Sequence, residues 1–137
     1  MTGLWVCVGV LVLAGGFGLA RKRWDGRVRV RSRDAAQVLA AEELGAELGE
    51  RATLVQFSTA FCQPCRATKR VLGEVAGMVP GVAHVEVDAE LNLDLVRRLD
   101  ILRTPTVLVL DAAGRVVRRA SGQPRRADVI AALGEAV

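Results

Sequence analysis

From Met1 to Ala20 the chain carries no charged side chain and is rich in Val, Leu and Gly. The eighteen residues Gly3 to Ala20 would coil into a helix of about 27 Å, close to the hydrocarbon thickness of a bilayer. Past Arg33 the pattern changes to short apolar runs alternating with amphipathic stretches. Val28 to Arg31 alternates as a strand does, and Gln37 to Leu39 has an equal claim to be the first strand. Glu42 to Leu48 reads as a short helix broken at Gly49-Glu50. Thr53 to Ser58 is a continuous apolar strand, the kind covered on both faces. The helix from Gln63 to about Met78 places Val71, Leu72, Val75 and Met78 at core spacing, with Arg66, Lys69, Arg70 and Glu74 outward. Val82 to Asp88 is a second central strand. Leu93 to Leu99 is a short helix with Asn92 as its cap. Pro105 opens a strand over Thr106 to Leu110, and Asp111-Ala112-Ala113-Gly114 turns into Arg115 to Ala120. Gly122 closes that strand before an amphipathic helix, Arg126 to Ala136. This order predicts an α/β fold, a central mixed sheet between helical layers, preceded by one transmembrane helix.

Charge sharpens the boundaries. The net charge of +4 is uneven: Arg21 to Arg33 holds seven basic residues and one acid, whereas the chain from Asp34 onward is net −2. Basicity confined to one segment argues against a nucleic-acid surface, which spreads positive charge across a fold. Three parts follow: an anchor at 1–20, a basic juxtamembrane linker at 21–36 and a folded domain at 37–137. A cleaved signal peptide is the rival for the first part, because Gly18-Leu19-Ala20 resembles a cleavage site. Signal peptides carry their basic residues before the apolar core, however, and here they follow it. Trp5 and Trp24 bracket the run as interfacial aromatics do. A retained single-span cell-membrane anchor is therefore expected, with the basic side and the domain in the cytoplasm. An extracytoplasmic domain is the alternative. The basic linker either lies along anionic headgroups or is a solvated spacer. Seventeen of the nineteen basic residues are arginine, a bias expected of a GC-rich bacterial genome.

The chemistry concentrates at Cys62-Gln63-Pro64-Cys65, where the strand ending at Ser58 gives way to a helix. Two cysteines so placed can close a small disulfide or expose one activated thiolate at the helix's positive end. A loop this short removes little entropy from the unfolded chain, so a purely structural disulfide is a poor explanation. A zinc half-site is the competing assignment. Tetrahedral zinc needs four ligands, and Cys7 and His84 are the other candidates. Cys7 is most simply a small apolar residue of the membrane segment. Cys62 falls at the helix N-cap, where backbone N–H groups such as that of Cys65 can bond its sulfur. Pro64 gives up no hydrogen bond in a first helical turn. Arg66 adds positive charge nearby.

With the element order, these motifs resemble the thioredoxin family from about Arg51 to Val137. Leu54-Val55-Gln56-Phe57 followed by Phe61-Cys62-Gln63-Pro64-Cys65 is similar to the family's strand-to-active-site segment. Thr104-Pro105-Thr106 is similar to its cis-proline turn, forty residues after the second cysteine. Gly114 and Gly122 match its hairpin-turn and late-strand glycines. The resemblance implies that Cys62 is the attacking nucleophile and Cys65 the more buried resolving cysteine. It implies that Pro105 is cis opposite the disulfide, and that Thr104 offers main-chain groups to an extended substrate. Read without the resemblance, Pro105 is a strand-opening proline. The departures stand at Gln56, where the family has a buried aspartate, and at His84, in place of a lysine. They leave the general base open: Gln56 fixing a water beside a titratable His84 is one expectation, and His84 as an ordinary hydrogen-bonded strand residue is the other. Phe61 replaces a tryptophan and keeps an apolar rim. Ser58 replaces another aromatic, and Gln63 replaces glycine.

The function expected is membrane-tethered reduction of protein disulfides, with the Cys62/Cys65 dithiol as the redox group and neither metal nor cofactor. Its partners would be disulfide-bearing proteins and an electron donor. That donor is a thioredoxin reductase if the domain is cytoplasmic, or a membrane thiol carrier if it is not. The same site run in reverse would make an oxidase or isomerase. A non-catalytic adaptor at the membrane is the third class.

Overall fold

A computed structural model of the chain describes residues 1–24, 27–29 and 34–137. Helix α1 (Thr2–Trp24) has no buried residue and is long and apolar enough to cross a membrane. Strands β1 (Val28–Arg29), β2 (Ala52–Ser58), β3 (Val82–Asp88), β4 (Thr106–Asp111) and β5 (Val116–Ser121) form one sheet in the order β1-β5-β4-β2-β3. The described residues also form helices α2 (Ala41–Leu44), α3 (Gln63–Met78), α4 (Leu93–Arg98) and α5 (Arg126–Ala136), with a short 3-10 turn at Asp34–Ala36. β2 is parallel to β3 and antiparallel to β4, which makes the sheet mixed.

All seven residues of β2 are buried, and their two faces feed two cores. Val55 and Phe57 pack with Leu39, Leu44, Val85, Leu99 and Leu108. Ala52 and Leu54 pack with Leu72 and Val75 of α3 and with Val129 and Leu133 of α5. α3 earns its place through Cys65, Thr68, Leu72 and Val75, which share one face at helical spacing and are buried. It stops where Pro80 forces the preceding Val79 into extended backbone, φ −114° and ψ 110°.

Several sequence expectations are corrected in detail. α2 ends at Leu44 instead of running to Leu48, because Gly45 takes the left-handed conformation at φ 68°. Met78 is 57% exposed and lies outside the core, at the last position of α3. Asn92 precedes α4 but makes no side-chain cap. Its amide donates instead to the Asp88 carbonyl at 2.8 Å. Gln37 to Leu39 contributes a single bridge, Val38 to Arg115, while Val28–Arg29 is the edge strand on β5. The rest of the Val28 to Arg31 expectation lies outside the described residues. Gly114 is required at its turn: φ is 85°, and a Cβ there would meet the Leu39 carbonyl oxygen at 2.3 Å.

Two structural features lie at the edges of the three parts. α1 continues through Arg21, Lys22 and Arg23 to Trp24, and Asp34 is 3% exposed inside the fold. Its carboxylate accepts two bonds from the buried Arg119 guanidinium, at 2.7 and 3.0 Å. Arg119 also donates to the carbonyls of Leu99, at 2.7 Å, and Asp100, at 3.3 Å. One side chain thus ties the chain's entry into the domain, β5 and the end of α4 together. Removing one member of a buried pair leaves the other uncompensated. Arg119→Met should cost about 3–5 kcal/mol in urea unfolding of the full chain in nonionic detergent. Adding Asp34→Leu should recover most of that loss. A single-variant loss under about 1 kcal/mol, the value of an exposed pair, would contradict this assignment.

Candidate active site

β2 delivers the chain to the carboxyl end of the sheet's parallel pair, where α/β folds place their sites. After Ser58 the chain crosses Thr59 to Phe61, and Cys62 takes extended backbone (φ −104°, ψ 103°) as the N-cap of α3. Its Sγ accepts a hydrogen bond from the Cys65 N–H at 3.2 Å. The two sulfurs are joined as a disulfide, with the Cα atoms 5.2 Å apart. Cys65 is 3% exposed, whereas Cys62 is half-buried. Cys62 is therefore the sulfur that an incoming group reaches. Phe61 is 98% exposed and forms an apolar projection next to it. Gln63 and Pro64 are exposed on the first turn of α3.

Behind the pair lies a polar relay that was only partly foreseen. Gln56 and His84 sit on adjacent strands, two positions apart in register, with side chains on the α3 side of the sheet. The Gln56 amide Nε2 donates to the Cys65 carbonyl at 2.7 Å. Its Oε1 lies 3.2 Å from His84 Nε2. Because Gln56 spends its NH2 on a carbonyl, its oxygen faces the ring, and His84 Nε2 must carry the proton and donate. Gln56 thus holds the backbone of Cys65 directly. Among the described residues His84 is linked to the cysteine pair through Gln56. Burial pushes the His84 pKa below its usual 6.5, partly opposed by the Glu86 carboxylate and assisted by Lys69.

The Thr104–Pro105 peptide is cis, and Pro105 is buried. Its carbonyl accepts from the Gly122 N–H at 2.8 Å, which gives the late-strand glycine a defined place at the turn. Thr104 lies across from Thr59, with hydroxyl oxygens 3.5 Å apart. Pro64, Thr104 and Pro105 line one groove of about 770 Å³, so the cysteine loop and the cis-proline turn meet there. Two contributors were not singled out in the sequence. Thr68 is fully buried, and its hydroxyl donates to the Pro64 carbonyl at 2.8 Å. A threonine four residues after a first-turn residue was the available signal. Thr59 carried none. Cys7 lies exposed on α1. Among the described residues no group of three or more His, Cys, Asp or Glu is placed to hold a metal ion.

Comparisons with known proteins agree with this geometry. The family model for thioredoxin matches residues 35–135, and the chain belongs to the thioredoxin family. Among solved structures it is similar to thioredoxin f from spinach chloroplast, at 24% identity and a TM-score of 0.56 over 64% of this chain and 78% of that one. It is also similar to Fasciola hepatica thioredoxin, at 22% identity and a TM-score of 0.57 over 71% of this chain and 88% of that one. Oxidised mitochondrial thioredoxin 3 from Saccharomyces cerevisiae aligns at 16% identity and a TM-score of 0.55, covering 63% and 79%. A search of curated proteins found no match. Family and disulfide together define a thiol-disulfide oxidoreductase whose redox group is its own cysteine pair.

The half-buried imidazole has a consequence for stability. Its folded pKa is depressed, so below about pH 6.5 the unfolded chain takes up a proton that the folded chain does not. Stability from this group is fully present above pH 6.5 and declines as pH falls below it. Urea unfolding of wild type and His84→Gln between about pH 5 and 7.5 should show a gap that shifts in favour of the variant as pH falls. A gap independent of pH would contradict the neutral, half-buried ring.

Proposed function

We propose that the chain is a membrane-tethered reductase of protein disulfides, with α1 as a single-span anchor and the domain in the cytoplasm. The observation that carries the chemistry is the Cys62 sulfur at the N-cap of α3, bonded by the Cys65 N–H, next to Pro64, which lines one groove with cis-Pro105. In the reduced protein that N–H and the helix dipole favour thiolate on Cys62. The Cys62 thiolate attacks one sulfur of a substrate disulfide, and the other leaves as a thiolate. Cys65, held from behind by Gln56, then attacks Cys62 Sγ, closes the Cys62–Cys65 disulfide and releases the second substrate sulfur. Two electrons pass to the substrate, and a two-electron donor of the thioredoxin-reductase type restores the dithiol. Thr104 supports this reading as the main-chain docking point for an extended substrate, and Phe61 as an apolar contact beside the nucleophile.

Anchor and orientation rest on an apolar helix of 23 residues whose last turn carries Arg21, Lys22 and Arg23, since basic residues flanking a span are retained on the cytoplasmic side.

One preparation tests both parts. In sealed right-side-out and inverted vesicles, an impermeant maleimide should label reduced Cys62 only in the inverted set. Equilibration with glutathione or dithiothreitol in the same vesicles should give a Cys62–Cys65 potential near about −270 mV. A value above about −180 mV would make the protein an oxidant or isomerase, and labelling from the outside would place the domain across the membrane.

A further inference from the structure

Strand pairing fixes the end of the sheet at which the chain enters the domain from α1. β1 runs antiparallel to β5, with Val28 opposite Ala120. Ala120 lies opposite Val107 of β4, and Val107 opposite Gln56 of β2. β2 and β5 point the same way, since each is antiparallel to β4. Both end at the pole where Cys62 and the cis-proline turn stand. β1 therefore begins at that redox pole and runs away from it. Val28 packs there against the core that holds Ala120 and Val129, so the entry is seated on the fold.

The joint between α1 and β1 is short. Trp24 ends α1 and Val28 opens β1, and the four peptide steps between them reach at most about 14 Å. Arg27 braces the joint. Its Nε donates to the Arg23 carbonyl at 3.1 Å, and its guanidinium carbon lies 6.0 Å from the centre of the Trp24 ring. Leu19 and Arg23 of α1 line one groove with Pro64, Thr104 and Pro105, so the end of the span and the cis-proline turn are neighbours. A joint of this length leaves the redox pole little freedom to turn away from a bilayer in which α1 is seated.

We propose that the protein acts on disulfides held at the membrane surface, and that its preferred substrates are membrane proteins whose cysteine pair lies beside the headgroups on the domain's side. The proposal rests on the anchor and the exchange reaction set out above. A disulfide at headgroup level meets the pole that carries Cys62, and confinement to the same surface raises its effective concentration. A disulfide carried several nanometres out approaches the opposite pole instead. The seven residues of β2, about 23 Å of strand, then separate it from the reacting sulfur.

One disulfide peptide presented at two heights tests this. It is coupled to a lipid headgroup either directly or through about twenty prolines, which hold it roughly 60 Å out. The reduced full-length protein is reconstituted with each in phosphatidylcholine vesicles at equal surface density, and peptide reduction is followed by mass. The directly coupled peptide should be reduced about tenfold faster than the spaced one. The same two peptides without the lipid, in nonionic detergent, should react within about twofold of each other. Inserting about twenty Gly/Ser residues between Asp25 and Gly26 frees the domain to turn, and should bring the two vesicle rates within about twofold. Equal vesicle rates for the native chain, or faster reduction of the spaced peptide, would overturn the proposal. So would an undiminished preference in the Gly/Ser variant, which would assign it to confinement alone. Protein that fails to float with the vesicles would overturn the anchor, and no reduction of the free peptides in detergent would overturn the exchange activity; either result removes the proposal with it.

Discussion

Burial of β2 on both faces is the constraint from which the rest of the structure follows. A strand with parallel β3 on one side and antiparallel β4 on the other has its backbone hydrogen bonds satisfied within the sheet. Its side chains must then be covered above and below, which fixes α3 and α5 on one face and the Leu39, Leu44 and Leu99 cluster on the other. The same strand sets where the chemistry occurs. Its carboxyl end hands the chain to Cys62, and its neighbour β4 begins just after Pro105. Two loops that are forty residues apart in sequence therefore meet at one edge of the sheet.

That burial also explains the chemistry behind the cysteines. A side chain at the position of Gln56 has no access to water, since its exposure is 0%. A neutral amide avoids the large desolvation cost of a carboxylate there, provided both its ends are bonded. Both are, to the Cys65 carbonyl and to His84. Among the described residues no buried side-chain polar atom lacks a partner. The relay works on position more than on charge: it clamps the first turn of α3 to β2 and thereby fixes Cys65 beneath Cys62. Buried charge is concentrated elsewhere, in the Asp34–Arg119 clamp. Arg119 reaches the Leu99 and Asp100 carbonyls, a few residues before cis-Pro105, so the clamp also braces the approach to the cis-proline turn.

Much of this was legible in the chain itself. Continuous apolar runs at Thr53 to Ser58 and Thr106 to Leu110 mark doubly covered strands, because a strand facing water on one side must alternate. Cys62 and Cys65 announce themselves by spacing at a strand-to-helix junction, and Thr104-Pro105 by its interval from them. What escaped depends on register and on distant pairing. The bond from Gln56 to Cys65 exists only because β2 sets even-numbered side chains toward α3. Asp34 and Arg119 stand 85 residues apart, and each looks in sequence like an ordinary surface charge. The early end of α2 is a matter of one dihedral at Gly45, where Gly49-Glu50 offered an equally good stop. Asn92 fits every cap preference, yet the Asp88 carbonyl is the acceptor that tertiary structure places within its reach.

The most direct test of the account is which sulfur a substrate becomes attached to. The reduced full-length protein carrying Cys65→Ser, and separately Cys62→Ser, is mixed with a small peptide disulfide, and the intact mass is read without reductant. Cys65→Ser should accumulate a stable one-to-one mixed disulfide, mapped to Cys62. Cys62→Ser should form adducts at least about a hundredfold more slowly, because the remaining thiol at position 65 is buried and lacks the N-cap donor. Comparable trapping by both variants, or adducts that map to Cys7, would contradict the assignment of Cys62 as the exposed nucleophile and Cys65 as its resolver.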